Sequence, residues 1–266
     1  MVTIGVFDSG VGGLSILDEA LQQLPHHNYI YFADSANAPY GDKPPQWIAE
    51  RSLQICRYLV EQDCSAIVVA CNTATAEAIA TIRSTLDIPI IGVEPGIKPA
   101  AMQSQNGIVG VLATEATLNS DKFNALLATL PEHCQFIKQA GAGLVPLIEA
   151  GLIETPEMQA LLRSHLKPIQ DQGADTLVLG CTHYPFLKKM IRAVVGDSMT
   201  LIDTSDAVVR QLLRQMHQQG LIVSSKHSPK LSLLSTANAD TLEAMAERLL
   251  HRDLSKYAIY TKTLTL

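Results

Sequence analysis

The chain has 266 residues, of which 47% are hydrophobic and 17% are charged, and its formal net charge is −6 at pH 7. These values exclude a disordered chain, and the scatter of 20 basic among 26 acidic residues argues against a nucleic-acid partner, which requires a clustered basic surface. A chain of this length can form two domains of about 100 to 150 residues each.

The sequence shows no signals of export or membrane insertion. Its first stretch, MVTIGVFDSGVGG, has no basic region followed by a long apolar run, and no window approaches about 18 uncharged apolar residues. We therefore expect a cytoplasmic protein with no membrane partner. The five cysteines are an odd number without C-x-x-C spacing, which argues against a disulfide framework and against a structural zinc site. Cys56, Cys64 and Cys134 are interpreted as small hydrophobic residues.

Short apolar runs alternate with segments of helical period along the chain. The strand candidates are TIGVF at 3–7, YIYFAD at 29–34, AIVVA at 66–70, IIGVE at 90–94, IVGVLA at 108–113, TLVLG at 176–180 and LIDT at 201–204. A tail helix and two further runs follow, KLSLLST at 230–236 and YAIYTKTLTL at 257–266. This alternation is typical of βαβ units around a mostly parallel sheet.

A faint internal repeat underlies this pattern. EQDCSAIVVACNT at 61–73 aligns without gaps on DQGADTLVLGCTH at 171–183, and IGVFDSGVG near the start pairs with VGVLATEAT at 109–117. We therefore predict an α/β protein of two similar doubly wound domains with mostly parallel sheets. GVEPGIKPA at 92–100 and LIDTSDAV at 201–208 are suited to be the crossovers. The predicted domains are residues 1–95 with 206–266, and residues 96–205.

Candidate site residues follow the predicted strands. Parallel sheets bind ligands beyond the carboxyl ends of their strands, where loops and helix N-termini present unpaired N–H groups. Four loops fall at such positions, namely Asp8-Ser9, residues 34–41, Cys71-Asn72-Thr73 and Cys181-Thr182-His183. The glycines of FDSGVGG complete neither a dinucleotide motif nor a P-loop, so they indicate a tight turn that can approach a small anion.

Several of these residues also have a purely structural interpretation. Asp8 is suited to cap a turn, and Asn72, Thr73 and Thr182 are good helix N-caps. Their functional interpretation is that the same loop amides and hydroxyls hold a carboxylate, which helix N-termini favour. Tyr40-Gly41, after a proline, can add a lid-like contact from a loop.

Two cysteines stand at matching positions of the repeat. Cys71 and Cys181 both lie where a helix is predicted to begin, and a helix N-terminus stabilises a thiolate. The pair indicates a site in the cleft between the domains, with one thiol on each side of a ligand. A two-base racemase has this symmetry, because a thiolate removes the α-proton on one face while a thiol delivers one on the other. Asp8 and His183 are candidates to tune the two thiols.

Two other classes of function fit part of the pattern. A thiol hydrolase needs one cysteine with a separate histidine base, and His183 follows Cys181 too closely in sequence to orient a triad alone. A non-catalytic α/β protein that holds a small carboxylate would need neither thiol. We carry both as alternatives to the racemase.

The chain resembles the cofactor-independent glutamate racemases along most of its length. The matching segments, in the family's order, are GVFDSGVGGLSIL, ADSANAPYGDK, VVACNTATA, IIGVEPGIKPA, GVLATEATLNS, LVLGCTHYPFL and LIDTS. The resemblance implies interconversion of L- and D-glutamate without cofactor or metal, which supplies D-glutamate for bacterial peptidoglycan. Aspartate racemases typically carry Glu after GCT, so GCTH favours glutamate over aspartate or another acidic amino acid.

The resemblance also implies roles for individual residues. Cys71 would act on the D-enantiomer and Cys181 on the L-enantiomer. Asp8, His183 and Glu149, the last in PLIEAG, would be auxiliary catalytic groups. The implied substrate contacts are Asp8, Ser9, Tyr40, Gly41, Asn72, Thr73, Thr182 and His183. A homodimer is one arrangement that the resemblance allows, since family members often dimerise.

Overall fold

A computed structural model describes residues 2–131, 133–222 and 228–266. The strands in these ranges are β1 (Thr3–Asp8), β2 (Asn28–Ala33), β3 (Cys64–Val69), β4 (Ile90–Gly92), β5 (Ile108–Ala113), β6 (Gln135–Ala140), β7 (Thr176–Gly180), β8 (Thr200–Ile202), β9 (Lys230–Ser235) and β10 (Ala258–Thr263). The α-helices are α1 (Leu14–Gln23), α2 (Pro45–Glu61), α3 (Asn72–Thr85), α4 (Ile97–Gln103), α5 (Glu115–Asn119), α6 (Asp121–Leu127), α7 (Leu144–Glu149), α8 (Pro156–Asp171), α9 (Lys188–Val195), α10 (Ser205–Gln218) and α11 (Ala239–Leu249). Short 3₁₀ helices span Ser35–Asn37, Tyr40–Asp42, Tyr184–Leu187 and Leu254–Lys256.

The chain forms two compact units. Unit 1 comprises Met1–Val93 and Ser205–Leu266, and unit 2 comprises Glu94–Thr204. That these segments are independent domains stays a prediction, because compactness alone does not show that a segment folds by itself. None of the helices in the described ranges has the length and apolar character that a bilayer-spanning helix requires.

Unit 1 is built on a six-stranded sheet of order β10-β9-β2-β1-β3-β4, in which every pairing is parallel. Helices α2 and α3 pack against each other, while α1 packs on α10 and α11. The layer of α2 and α3 buries Ile55, Leu59 and Ile79 against strand residues such as Phe7 and Val69. The helices therefore lie in two layers, as in a doubly wound sheet.

Unit 2 contains a four-stranded sheet of order β6-β5-β7-β8, again wholly parallel. Helix α4 packs on β5 and β7, and its Ile97 joins Val109, Val111 and Val178 in one buried cluster. Helix α8 packs on β6, α7 and α9. Successive residues of a strand face opposite sides of the sheet. Gly110, between Val109 and Val111, therefore faces α8 rather than α4.

The strand order of unit 2 repeats part of unit 1, since β6-β5-β7-β8 corresponds to β2-β1-β3-β4. The predicted α/β class with two parallel sheets is confirmed, and β3 and β7, which precede the two cysteines, hold the same sheet position. The prediction missed β6, QFIKQA, in which Ile137 alone is buried. An edge strand needs little apolar surface, so its sequence lacks the continuous apolar run that marked the inner strands.

Gly110 allows a test of the helix-sheet packing in unit 2. A Cβ at this position would overlap Cγ2 of Ile169 in α8. Gly to Ala in a strand normally favours folding slightly, but here overpacking outweighs that gain, so we expect Gly110→Ala to lower the free energy of unfolding by about 1–3 kcal/mol. Urea unfolding measures the change. The double variant Gly110→Ala with Ile169→Leu, which lacks Cγ2, should regain part of the lost stability. If Gly110→Ala alone had the stability of the wild type, close packing of α8 against Gly110 would be contradicted.

Candidate active site

Cys71 lies two residues beyond β3 and forms the N-cap of α3. Its backbone is extended, with φ −131° and ψ 122°, and its carbonyl accepts the N–H of Thr75 at 2.8 Å. The Sγ atom accepts the N–H of Ala74 at 3.4 Å and lies 3.6 Å from Oγ of Ser9. The side chain is buried but for 6% of its surface. The helix N-terminus therefore presents an N–H donor to this sulfur.

Asn72 and Thr73 are the first two residues of α3, so the prediction that they act as its N-caps is wrong. Cys71 takes the capping position and satisfies the N–H of Ala74 through its sulfur. Both side chains are buried, and Nδ2 of Asn72 has no hydrogen-bond acceptor among the residues that the structure describes. A buried amide without a partner costs about 1–3 kcal/mol, so this group is poised to bind an external acceptor.

The Asp8-Ser9 turn follows β1, next to the end of β3 in the sheet. Oδ1 of the fully buried Asp8 accepts the N–H of Gly10 at 2.7 Å, and the carbonyl of Gly10 accepts the hydroxyl of Tyr31 at 2.7 Å. A Cβ at Gly13 would come within 2.8 Å of Cβ of Asp8. The turn that carries Ser9 is thus held from both ends.

Tyr40 is held by its side chain in a buried cluster around Asp34, and the lid-like contact expected from the Tyr40-Gly41 loop stays a prediction. Its hydroxyl donates to Oδ2 of Asp34 at 2.6 Å. Arg51 donates to both oxygens of Asp34, from Nε at 2.9 Å and NH2 at 2.7 Å, and Thr236 donates at 2.9 Å. We call Asp34, Asn37, Tyr40, Arg51 and Thr236 the Asp34 cluster. It leaves the backbone of Tyr40 and the half-buried Gly41 as the groups that can contact a ligand.

The negative charge of Asp34 is well compensated. Burial alone would raise the pKa of its carboxyl group, but hydrogen bonds from Arg51, Tyr40 and Asn37 outweigh that effect and lower the pKa. Burial and the adjacent carboxylate raise the pKa of Tyr40 far above its usual value, so its phenol stays neutral and donates. Arg51 was not predicted as a partner of Asp34, and its signal in the sequence was a charged residue on the apolar face of α2.

Cys181 directly follows β7 and is 7% exposed. The prediction that an α-helix begins there is wrong, because a turn and the 3₁₀ helix Tyr184–Leu187 come first and α9 starts only at Lys188. The N–H of Tyr184 donates to the carbonyl of Cys181 at 3.0 Å. The next residue is Pro185, which has no N–H and cannot make the bond that Thr75 makes to Cys71. Thr182 is therefore not a helix N-cap.

His183 and Glu149 form a polar chain beside the second thiol. Nδ1 of His183 lies 3.7 Å from Sγ of Cys181, and its Nε2 lies 2.6 Å from Oε1 of Glu149. Burial disfavours the imidazolium, but the hydrogen bonds and negative charges of Cys181 and Glu149 outweigh it and raise the pKa of His183 well above its usual value. The two partners therefore favour the imidazolium, which can donate from both nitrogens.

Two further polar contacts lie on the segments after β6 and β5. Tyr184 is fully buried, and its hydroxyl donates to the carbonyl of Gly141 at 3.4 Å, shortly before α7. Helix α7 then carries Glu149 at its last position. Beyond the adjacent strand β5, the hydroxyl of Thr114 lies 2.8 Å from that of Thr117.

The structure thus assembles the predicted residues within each unit. Asp8, Ser9, Cys71, Asn72 and Thr73 gather at the carboxyl ends of β1 and β3. Cys181, Thr182, His183 and Glu149 gather beyond β7. In the described ranges no group of three or more His, Cys, Asp or Glu side chains is arranged to hold a metal ion. Each half therefore presents one thiol with its own hydrogen-bond donors.

Comparison with known proteins defines the class. The Asp/Glu/Hydantoin racemase family matches residues 5–212. A glutamate racemase of Cupriavidus pinatubonensis is 53% identical over 248 residues, which are 93% of this chain and 91% of that protein. The chain therefore belongs to the Asp/Glu/Hydantoin racemase family, and within it to the glutamate racemases.

Solved structures agree with this assignment. A glutamate racemase isoform from Bacillus anthracis superposes with a TM-score of 0.88 at 30% identity, covering 100% of this chain and 98% of that one. Escherichia coli glutamate racemase in complex with L-glutamate and an activator gives a TM-score of 0.84 at 35% identity, covering 93% and 94% of the two chains. The resemblance found in the sequence is confirmed.

Removing the charge of Glu149 should lower the pKa of His183. We expect this from Glu149→Gln, which keeps the size of the side chain but removes a negative partner 2.6 Å away. NMR titration of labelled histidine measures the pKa, with His183→Asn to assign the signal. Glu154→Gln, an exposed change nearby, is the matched control. An unchanged pKa of His183 in Glu149→Gln would contradict the charge relation.

The same pair should make stability depend on pH. The pKa of His183 is higher in the folded than in the unfolded chain, so its stabilising contribution is complete below about pH 6.5 and is lost as the pH rises through the folded value. The wild type should therefore be more stable than Glu149→Gln at low pH, and this difference in unfolding free energy should become smaller as the pH rises.

Breaking the buried ion pair of the Asp34 cluster should destabilise unit 1. Arg51→Met leaves the carboxylate of Asp34 buried without its cation, and we expect a loss of about 3–5 kcal/mol in unfolding free energy at pH 7. The double variant Arg51→Met with Asp34→Asn has no unpaired carboxylate at this position and should lose less unfolding free energy than Arg51→Met alone. Chemical denaturation of both proteins is the measurement, and equal losses would show that the charge of Asp34 is unimportant.

Proposed function

We propose that the chain is a cofactor-independent glutamate racemase, an isomerase that interconverts L- and D-glutamate by proton transfer at two thiols. The observation that carries the proposal is the pair Cys71 and Cys181. They lie at equivalent strand ends of the two units, and each sulfur has hydrogen-bond donors that stabilise a negative charge on it. The membership of the chain in the family supports the same conclusion.

The reaction needs one base and one acid. The thiolate of Cys71 takes the α-proton of D-glutamate and becomes a thiol, and the thiol of Cys181 delivers its proton to the other face of the carbanion. The roles reverse for L-glutamate. Each turnover exchanges the protonation states of the two sulfurs, so the reverse reaction or proton exchange with solvent restores them. The chemistry requires that both sulfurs reach the same Cα from opposite faces.

The two thiols are stabilised differently as anions. Cys71 accepts the N–H of Ala74 and lies 3.6 Å from the hydroxyl of Ser9, which can donate to a thiolate; both groups are neutral. Cys181 lies beside the ring of His183, whose pKa is raised by this sulfur and by Glu149 on its other side. An imidazolium stabilises an adjacent thiolate more strongly than one neutral donor. We assign His183 and Glu149 as auxiliary groups for the L-glutamate direction, and Asp8 as the auxiliary group for the other.

The substrate carboxylates need hydrogen-bond donors. The unpaired Nδ2 of Asn72 is the strongest candidate, because a carboxylate oxygen would satisfy it. The remaining proposed contacts are Asp8, Ser9, Tyr40, Gly41, Thr73, Thr182 and His183. Rigid binding matters here because the α-proton of an amino acid is very weakly acidic, and positioning supplies part of the barrier reduction.

The proposed product explains the cellular role. D-glutamate is a component of bacterial peptidoglycan, so the enzyme contributes to cell-wall synthesis and cell shape. We place it in the cytoplasm, where glutamate is available. A homodimer stays a prediction.

The runner-up is a racemase for aspartate or another acidic amino acid, since the family includes several racemases. Exchange of the α-proton in deuterium oxide separates them, and NMR would follow each substrate. We expect exchange with L- and D-glutamate and little with aspartate. Exchange with aspartate alone would overturn the substrate assignment, and no exchange with either would favour a non-catalytic carboxylate-binding protein.

Replacing either cysteine tests the two-thiol chemistry. We expect Cys71→Ser and Cys181→Ser each to lower the rate of racemisation by a factor of at least about 10²–10⁴, because a serine hydroxyl is a poor base at neutral pH. Circular dichroism at fixed glutamate concentration measures the rate. Cys134→Ser, at a half-buried cysteine outside both strand ends, is the control.

The same variants distinguish the remaining alternatives. Retained racemisation in either active-site variant would refute the proposal. A covalent acyl adduct on Cys71 or Cys181, seen by mass spectrometry, would support a thiol hydrolase instead.

A further inference from the structure

Thr75 connects the ends of two strands directly beneath Cys71. Its side chain is 1% exposed and lies in the first turn of α3. The hydroxyl donates to the carbonyl of Val69 at 3.1 Å and accepts the N–H of Val93 at 3.0 Å. Its own N–H donates to the carbonyl of Cys71 at 2.8 Å. One residue therefore joins the end of β3, the segment after β4 and the start of α3.

The hydroxyl of Thr75 links β3 to the segment after β4 just beyond the last backbone pair of these two strands. The β3-β4 register ends with Val69 opposite Gly92. Beyond this pair, the carbonyl of Val69 and the N–H of Val93 are joined through Oγ1 of Thr75. Buried backbone groups need partners, so the two strand ends can hold this spacing only while the hydroxyl is present.

The methyl group of Thr75 is fitted as closely as its hydroxyl. A Cβ at Gly92 would come within 2.6 Å of Cγ2 of Thr75 and 3.1 Å of Cδ1 of Ile79. The absence of a side chain at position 92 therefore makes room for the threonine methyl. Because its hydroxyl is hydrogen-bonded and its methyl group is closely packed, the Thr75 side chain can adopt only one rotamer. This rotamer also fixes the position of the first turn of α3.

We propose that Thr75 is a positioning residue for Cys71: its hydroxyl bridge holds the strand end and helix start that aim the Cys71 thiol. The contacts of the sulfur include the N–H of Ala74 at 3.4 Å and the hydroxyl of Ser9 at 3.6 Å. Ala74 immediately precedes Thr75, so a shift of the helix start lengthens the first contact. Loss of this donor weakens the stabilisation of negative charge on the sulfur.

The kinetic part of the inference rests on the proposed racemase function, whereas the reactivity of the thiol does not. Thr75→Val keeps the volume and removes the bridge, and Thr75→Ser keeps the bridge. Thr176→Val is the matched control, because this buried threonine of unit 2 loses a 2.8 Å hydrogen bond to Asp175 without touching either cysteine loop. Peptide mass spectrometry after timed exposure to iodoacetamide gives the alkylation rate of Cys71 and Cys181 separately.

We expect Thr75→Val to slow alkylation of Cys71 at pH 7 by about tenfold, the size of one lost hydrogen bond to a charged group, and to leave Cys181 unchanged. Its kcat for glutamate should fall by a similar factor in both directions, with KM within about twofold of wild type. Thr75→Ser should stay within about threefold of wild type for alkylation and kcat. Thr176→Val should be less stable than the wild type, but its Cys71 should be alkylated at the wild-type rate.

A wild-type labelling rate and kcat in Thr75→Val, with only stability reduced, would overturn the proposal. If Thr75→Val does not fold, Gly92→Ala replaces it, since the new Cβ displaces the threonine methyl. We then expect slower labelling of Cys71 in Gly92→Ala and recovery in Gly92→Ala with Thr75→Ser; unchanged labelling in Gly92→Ala would refute the idea. A wild-type protein without racemase activity would refute the proposed function, while the labelling rates would still decide the role of Thr75.

Discussion

Parallel strand pairing is the constraint on which the placement of both cysteine loops depends. In each unit every strand runs in the same direction, so all carboxyl ends meet at one edge of the sheet. Residues far apart in sequence, such as Asp8 and Cys71, become neighbours there because β1 and β3 pair directly. The helices that follow add N–H groups at the same edge. The proposed catalytic groups thus lie at the ends of rigid elements rather than on long loops.

The repeated architecture supports two thiols by different means. Cys71 caps a regular helix, whereas Pro185 prevents the corresponding helix start after Cys181, and His183, whose pKa is raised by its neighbours, lies beside that sulfur instead. The two repeats therefore share the position of the cysteine at the end of an equivalent strand, but they differ in the groups that surround its sulfur. In the proposed two-thiol mechanism the two bases are equivalent in position, and the difference in their partners would allow the two directions to be tuned separately.

Buried polar groups give the site its rigidity. The Asp34 cluster places a fully buried carboxylate among donors from α2, the loop after β2 and the segment after β9, so elements distant in sequence are tied at one point. Thr75 makes a comparable junction beneath Cys71. Such networks stabilise one arrangement only while every member is paired, and this is why removing a single partner is costly.

The sequence by itself determined the class of fold, the repeat and the two cysteines, because continuous apolar runs reveal inner parallel strands and the C-N-T and C-T-H motifs follow them directly. Tertiary structure alone decided the partners of these thiols. Glu149 reaches His183 across 34 positions, and Arg51 reaches Asp34 from the next helix. Edge strand β6, the capping role of Cys71 and the burial of Tyr40 were also decided there. Local sequence encodes period and propensity, whereas hydrogen bonds between distant side chains exist only once packing has brought them together.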